Sequence, residues 1–235
     1  MNGRIMKFRV LCFAVSVCVV LTGVEMASAK PLTQKEKDLY YTFGVKMSTE
    51  LAPYGLSIAA LEEIFAGLKD GHQDALRLNP SLFEQELRQH LEGLVKSRVS
   101  TQEVKGSAFM TVFKKREGVI ITPRGSLYRI VRQGTGPMPS ASSIVQVHYE
   151  GRTVEGQVFD SSKGSGADVG SPPVSFPLDR VIPCWTDVLP LLTVGSKAQI
   201  VCPAQLAYGA RGAPPMIPPG ATLVFEIELL GIAGR

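Results

Sequence analysis

The side chains best able to do covalent, metal or phosphate chemistry are sparse in this chain and poorly grouped. There is no G-x-S-x-G elbow to expose a nucleophile, no G-x-x-x-x-G-K-[ST] loop to cradle phosphates and no H-E-x-x-H pair to hold zinc. Gly164, Gly166 and Gly170 evoke a dinucleotide loop only superficially: the spacing is wrong, no helix follows, and a flexible loop is the expectation. His72, His90 and His148 fall at a helix end, on a helix and on the polar face of a strand, so no metal centre is expected. Of the four cysteines, Cys12 and Cys18 lie in an N-terminal apolar run. Cys184 and Cys202 remain, spaced wrongly for zinc but able to pair in an oxidising compartment if their Cα atoms come within about 7 Å. What is left is a set of aromatic and aliphatic residues with few polar groups among them.

The elements that must position these residues divide by period. From Thr33 to about Gly118 apolar residues recur at helical spacing, as in Leu39, Phe43, Met47 and Leu51, and again in Phe83, Leu87 and Leu91. Thr33 with Glu36 and Ser81 with Glu84 fit the capping box, and Gly71 fits a helix stop. Helices are therefore expected near 59–69 and, with few breaks, over 82–116. Their stripes exceed what so few residues can bury by themselves, so they must pack on one another, on the second half or on a second copy of the chain. After Gly118 the period becomes two: Val145, Val147 and Tyr149, then Leu223, Phe225, Ile227 and Leu229, alternate with polar neighbours. Shorter strands are expected at 127–131 and 198–201, with one short helix at 185–192. The fold class implied is α+β, an antiparallel sheet wrapped around a short helix and preceded by an all-α region with a long linking helix.

The first 29 residues form a third region. Arg4, Lys7 and Arg9 precede an apolar run from Val10 to Val24, and Ala27-Ser28-Ala29 offers small residues for cleavage. This reads as a secretory signal. A permanent membrane anchor fits less well, because the run of 15 residues is shorter than the roughly 20 that span a bilayer. Cleavage would remove three basic residues and one acidic one, lowering the net charge of +4 to +2. With no run of Lys or Arg, nucleic acid is not an expected partner.

Five segments in order then carry a resemblance. They are Val147-His148-Tyr149-Glu150-Gly151, Val158-Phe159-Asp160-Ser161-Ser162, Val181-Ile182-Pro183-Cys184-Trp185, Leu206-Ala207-Tyr208-Gly209, and Ile217-Pro218-Pro219 with Leu223-Val224-Phe225. Together they resemble the FKBP-type peptidyl-prolyl cis-trans isomerases from about Gly125 to Ile232. More loosely, Lys105-Gly106-Ser107-Ala108-Phe109 and Lys114-Lys115-Arg116-Glu117-Gly118-Val119 resemble the helical dimerisation region of the macrophage infectivity potentiator-like and periplasmic members of Gram-negative bacteria. The domains implied are a signal at 1–29, a helical dimerisation domain and connecting helix at 30–118, and an isomerase domain at 119–235.

The resemblance implies a proline pocket lined by Tyr149, Phe159, Val174, Val181, Trp185, Ile217 and Phe225, with Asp160, Tyr208 and the Ile182 amide as its catalytic groups. Val174 stands where well-known members carry phenylalanine. A carboxylate beside Phe159 is costly without a partner, which favours a site role for Asp160 over a bland one. Further implications are a homodimer, proline-containing unfolded or exported polypeptides as substrates, and macrolides such as rapamycin as inhibitors. No cofactor is needed, and the location is the periplasm or outer-membrane surface. A chaperone that holds unfolded chains, with isomerisation incidental, is the second reading. Three departures stand out: Cys184 replaces the usual glycine, the loop from Lys163 to Pro173 is long and lacks the arginine that commonly pairs with the aspartate, and Ala213 and Pro215 alter the loop over the pocket.

Overall fold

The computed structural model describes residues 31–162 and 172–233, so the signal segment and most of the 163–173 loop lie outside the described residues. Two compact bodies are distinguished, one ending at Tyr41 and one running from Thr42 onward. The first contains the start of α1 (Gln34–Leu51), where Thr33 and Glu36 form the reciprocal cap: Glu36 accepts from the Thr33 N–H at 2.8 Å, and Thr33 Oγ1 accepts from the Glu36 N–H at 3.3 Å.

In the second body α1 ends in a 3₁₀ turn, Ala52–Tyr54, and α2 (Ile58–His72) begins at Ser57, whose hydroxyl accepts from the Ala60 N–H. Two local expectations need correction. Gly71 lies inside α2, and the left-handed residue that follows the helix is Asp74, with φ of 52°. Ser81 and Glu84 do not cap. Instead Asn79 accepts from the Ser81 N–H, Pro80–Leu82 forms a 3₁₀ turn, and α3 (Glu84–Lys114) starts without a side-chain cap. Asx capping wins here because Pro80 fixes the turn one residue after Asn79.

Seven strands follow: β1 (Val119–Ile121), β2 (Leu127–Arg132), β3 (Ile144–Thr153), β4 (Val158–Ser161), β5 (Val174–Pro177), β6 (Lys197–Cys202) and β7 (Leu223–Ile232). They make one antiparallel sheet in the order β1-β2-β6-β7-β3-β4, with β5 also paired to β3. Between β5 and β6 lies α4 (Pro183–Val188), shorter than the 185–192 expected because Pro190 converts its continuation to a 3₁₀ turn. Alternation sorts the sheet's side chains onto two faces. Tyr128, Ile200, Phe225 and Ile227 pack with Trp185, Val188 and Leu192 on the α4 side. Their neighbours Leu127, Val201 and Val224 face the other way and meet Phe113 of α3.

That second contact decides what α3 is. Phe113 is only 1% exposed, Lys105 pairs with Glu155 at 2.8 Å, and a Cβ on Gly106 would stand 2.1 Å from Thr222 Oγ1. The helix is glycine at 106 because it must pass that close. From about Val99 to Phe113, α3 therefore lies along the sheet and covers its outer face, so half of the long linking helix expected from the sequence packs on the strands.

Cys184 at the start of α4 and Cys202 at the end of β6 are joined as a disulfide, with Cα atoms 5.6 Å apart and both side chains buried. A bridge across 18 residues of sequence removes about 3 kcal/mol of unfolded-chain entropy in the loop-closure account and ties the pocket helix to the sheet.

Candidate functional site

Tyr149 and Phe225 sit on the α4-facing side of adjacent strands β3 and β7, which pair Gly151 with Phe225. Gly151 creates the space the aromatic rings need: a Cβ there would lie 2.6 Å from Phe159 and 2.8 Å from Phe225. The pairing of β4 with β3 is irregular between Gly151 and Arg152. Consecutive residues Phe159 and Asp160 both reach one cavity there, which strict strand alternation would forbid.

Trp185, on the first turn of α4, is the hub of the box. Its ring meets Tyr149 at 5.3 Å, Phe176 at 5.6 Å and Phe225 at 5.3 Å, all edge-on, while Phe159 meets Phe225 edge-on at 5.7 Å. Edge-to-face packing places ring hydrogens against ring faces, the arrangement the aromatic quadrupole favours. The cavity so enclosed measures about 490 Å³, a volume suited to a proline ring and its neighbours. Val181, Ile182, Ala207 and Tyr208 close its sides.

Tyr149, Asp160, Arg180 and Tyr208 bring polar groups to the cavity. The Tyr149 hydroxyl donates to Asp160 Oδ2 at 2.7 Å. Burial, then this bond and the Asp160 charge, push the Tyr149 phenol well above its usual range, and burial, followed by the same charge, raises that of Tyr208. Both phenols are thus kept as neutral donors. The Ile182 N–H, just ahead of Pro183, makes no hydrogen bond among the described residues. Arg180 also lines the mouth.

Of the residues expected at the pocket, Tyr149, Phe159, Asp160, Val181, Ile182, Trp185, Tyr208 and Phe225 line this one cavity. Val174 and Ile217 do not. The phenylalanine of β5 is Phe176, two residues beyond Val174 on the same strand, and Val174 pairs instead with Val147. Ile217 is buried and exchanges two 2.9 Å backbone bonds with Ala213, so it props the loop over the pocket. Phe176 was within reach of the sequence, since Val174, Ser175 and Phe176 alternate. Arg180 had no signal beyond adjoining Val181. Among the described residues no three or more His, Cys, Asp or Glu side chains gather as a metal site would require.

Comparison with known proteins gives the family. Residues 136–230 match the model of the FKBP-type peptidyl-prolyl cis-trans isomerase, and residues 36–130 match that of the domain amino terminal to it. The chain is 35% identical to the FKBP-type 22 kDa isomerase of Escherichia coli, over 84% of this chain and 95% of that one. It is 29% identical to the outer membrane protein MIP of Legionella longbeachae, over 97% of this chain and 98% of that one. The crystal structure of FkpA from Escherichia coli superposes with a TM-score of 0.61 at 31% identity, covering 85% of this chain and 97% of that one. The chain belongs to the FKBP-type peptidyl-prolyl cis-trans isomerase family.

Proposed function

We propose that this isomerase twists X-Pro bonds of exported polypeptides by seating proline in the aromatic box under Asp160, Tyr208 and the Ile182 amide. The observation that carries the reading is the cavity itself, a slot walled by Tyr149, Phe159, Phe176, Trp185 and Phe225 with Asp160 and Tyr208 beside them. Rotation about an X-Pro bond must break amide resonance, a barrier of roughly 18–20 kcal/mol, and needs neither nucleophile nor proton transfer. In the twisted state the carbonyl and nitrogen are no longer conjugated. An apolar slot favours that less polar amide, and donors at the rim accelerate rotation to the extent that they bind the twisted carbonyl better than the planar one. The Tyr208 hydroxyl and Ile182 N–H are such donors, while Asp160 orders the Tyr149 hydroxyl. Val181, Phe159, Trp185 and Phe225 hold the ring.

The same proposal takes 30–118 as a dimerisation region and 119–235 as the isomerase domain, the chain acting as a homodimer at the periplasmic or outer-membrane surface of a Gram-negative cell. Support comes from exposed apolar side chains on α2, where Ile58 is 72% and Phe65 61% exposed, and from the secretory character of 1–29. No helix among the described residues is long and apolar enough to cross a membrane. A proline tetrapeptide assayed with and without rapamycin tests the pocket: catalysed isomerisation abolished by the macrolide is expected. Macrolide binding without any catalysed rate would instead favour a holding role.

A further inference from the structure

A second cleft of about 500 Å³ adjoins the proline pocket, and Tyr208 lines both. Its far wall belongs to the helical region: Thr49 and Glu50 from the last turn of α1 and Pro53 from the following 3₁₀ turn. Its near wall is the loop carrying Arg211 and Pro214. We propose that this cleft is a subsite for the extended stretch of client polypeptide next to the proline, a reading that rests on the isomerase pocket described above.

The two cavities are continuous at Tyr208. Tyr208 lines both cavities, so an extended segment leaving the pocket past its ring runs into the cleft. The shared wall is already built. Gly209 N–H donates to Ala204 O at 2.8 Å, Gly212 N–H to Tyr208 O at 3.1 Å and Gly220 N–H to Gly209 O at 2.9 Å, with Ile217 buried beneath. A preformed wall does not have to be ordered by the client, which removes one cost of binding.

The charges of the cleft also suit a peptide backbone. Glu50 and Arg211 line the same cleft, both are exposed, and neither forms an ion pair among the described residues. A carboxylate accepts from peptide N–H groups and a guanidinium donates to peptide carbonyls. Two opposite charges held apart therefore suit an extended backbone of any sequence, while Pro53 and Pro214 offer apolar surface to its side chains. The helical region would then contribute to substrate binding within a single chain, independently of any pairing between chains.

The test uses the full chain and two peptides, a proline tetrapeptide and the same core lengthened by four residues on each side. The wild type should show kcat/KM at least threefold higher on the long peptide, through a lower KM. The doubly substituted Glu50→Ser, Arg211→Ser protein should bring the ratio of the two peptides close to one, with its sedimentation unchanged. Both positions are exposed, so the fold is not at stake. A wild-type ratio near one, or a ratio untouched by the double substitution, overturns the subsite. A change in sedimentation would assign the cleft to contact between chains and overturn it as well. Failure of the wild type on both peptides would remove the reading of the pocket itself, and this subsite with it.

Discussion

Asp160 is held by Tyr149 from the neighbouring strand, and Tyr208 stands 41% exposed opposite, so neither carries much of the core. Replacing Tyr208 by Phe or Asp160 by Ala should lower kcat/KM on a tetrapeptide about tenfold, the equivalent of one rim hydrogen bond, and leave Tm nearly unchanged. Wild-type rates in both variants would remove these residues from the chemistry. The pH dependence follows from direction alone. A phenol whose folded pKa is raised keeps its proton until pH climbs through that raised value, while the stability tied to it is complete below the ordinary value and is lost as pH rises from there through the raised one. Activity should therefore hold level as pH rises to the ordinary tyrosine value of 10.0. A fall centred below that value would show that Tyr208 is not shielded as the structure has it. At this scale the sequence was most legible where residue type and motif coincide, as at Trp185 and Phe225. It misled at Val174, because Val174 and Phe176 share one face of β5 and motif order alone does not fix which of the two stands level with the cavity.

Period predicted the long helix and the strands, because stripes of 3.6 and 2 residues report which side of an element is buried. Period cannot say what covers the stripe. Phe113 illustrates the limit: it completes the face of α3 that lies on Leu127 and Val201, a partner fixed only once the sheet exists. Helix and sheet should consequently unfold together. Phe113→Ala is expected to destabilise the full chain by about 3–5 kcal/mol, the range for emptying a buried aromatic site. Tetrapeptide kcat/KM of the folded fraction should stay at the wild-type level, since the α4 side of the sheet is untouched. Chemical denaturation followed by fluorescence and by far-UV dichroism would measure both the loss and the coincidence of the two transitions. Separate transitions for helix and sheet would contradict the docking. The same contact limits α3 as a linking helix, because the half from Val99 onward is already committed to the sheet.

For the molecule as a whole, the remaining question is what covers the helices that the sheet does not. Neither α1 nor α2 contains a buried residue, although α2 presents Ile58, Phe65 and Leu68 seven and three residues apart, the spacing of one helix face. A soluble chain rarely leaves such a stripe open, and a second copy presents the same stripe to cover it, as twofold pairing requires. The full chain is therefore expected to sediment as a dimer at tens of micromolar. The Ile58→Glu, Phe65→Glu double variant should sediment as a monomer, because each dimer would bury four carboxylates without partners. Two pockets held in one particle can engage one unfolded client at once, which raises apparent affinity through effective concentration without altering either pocket. The monomeric variant should accordingly keep its tetrapeptide kcat/KM per chain and lose several-fold in rate on an unfolded, proline-limited protein. A wild-type monomer would remove the dimer, and equal losses on both substrates would mean that the helices support the pocket instead of client capture.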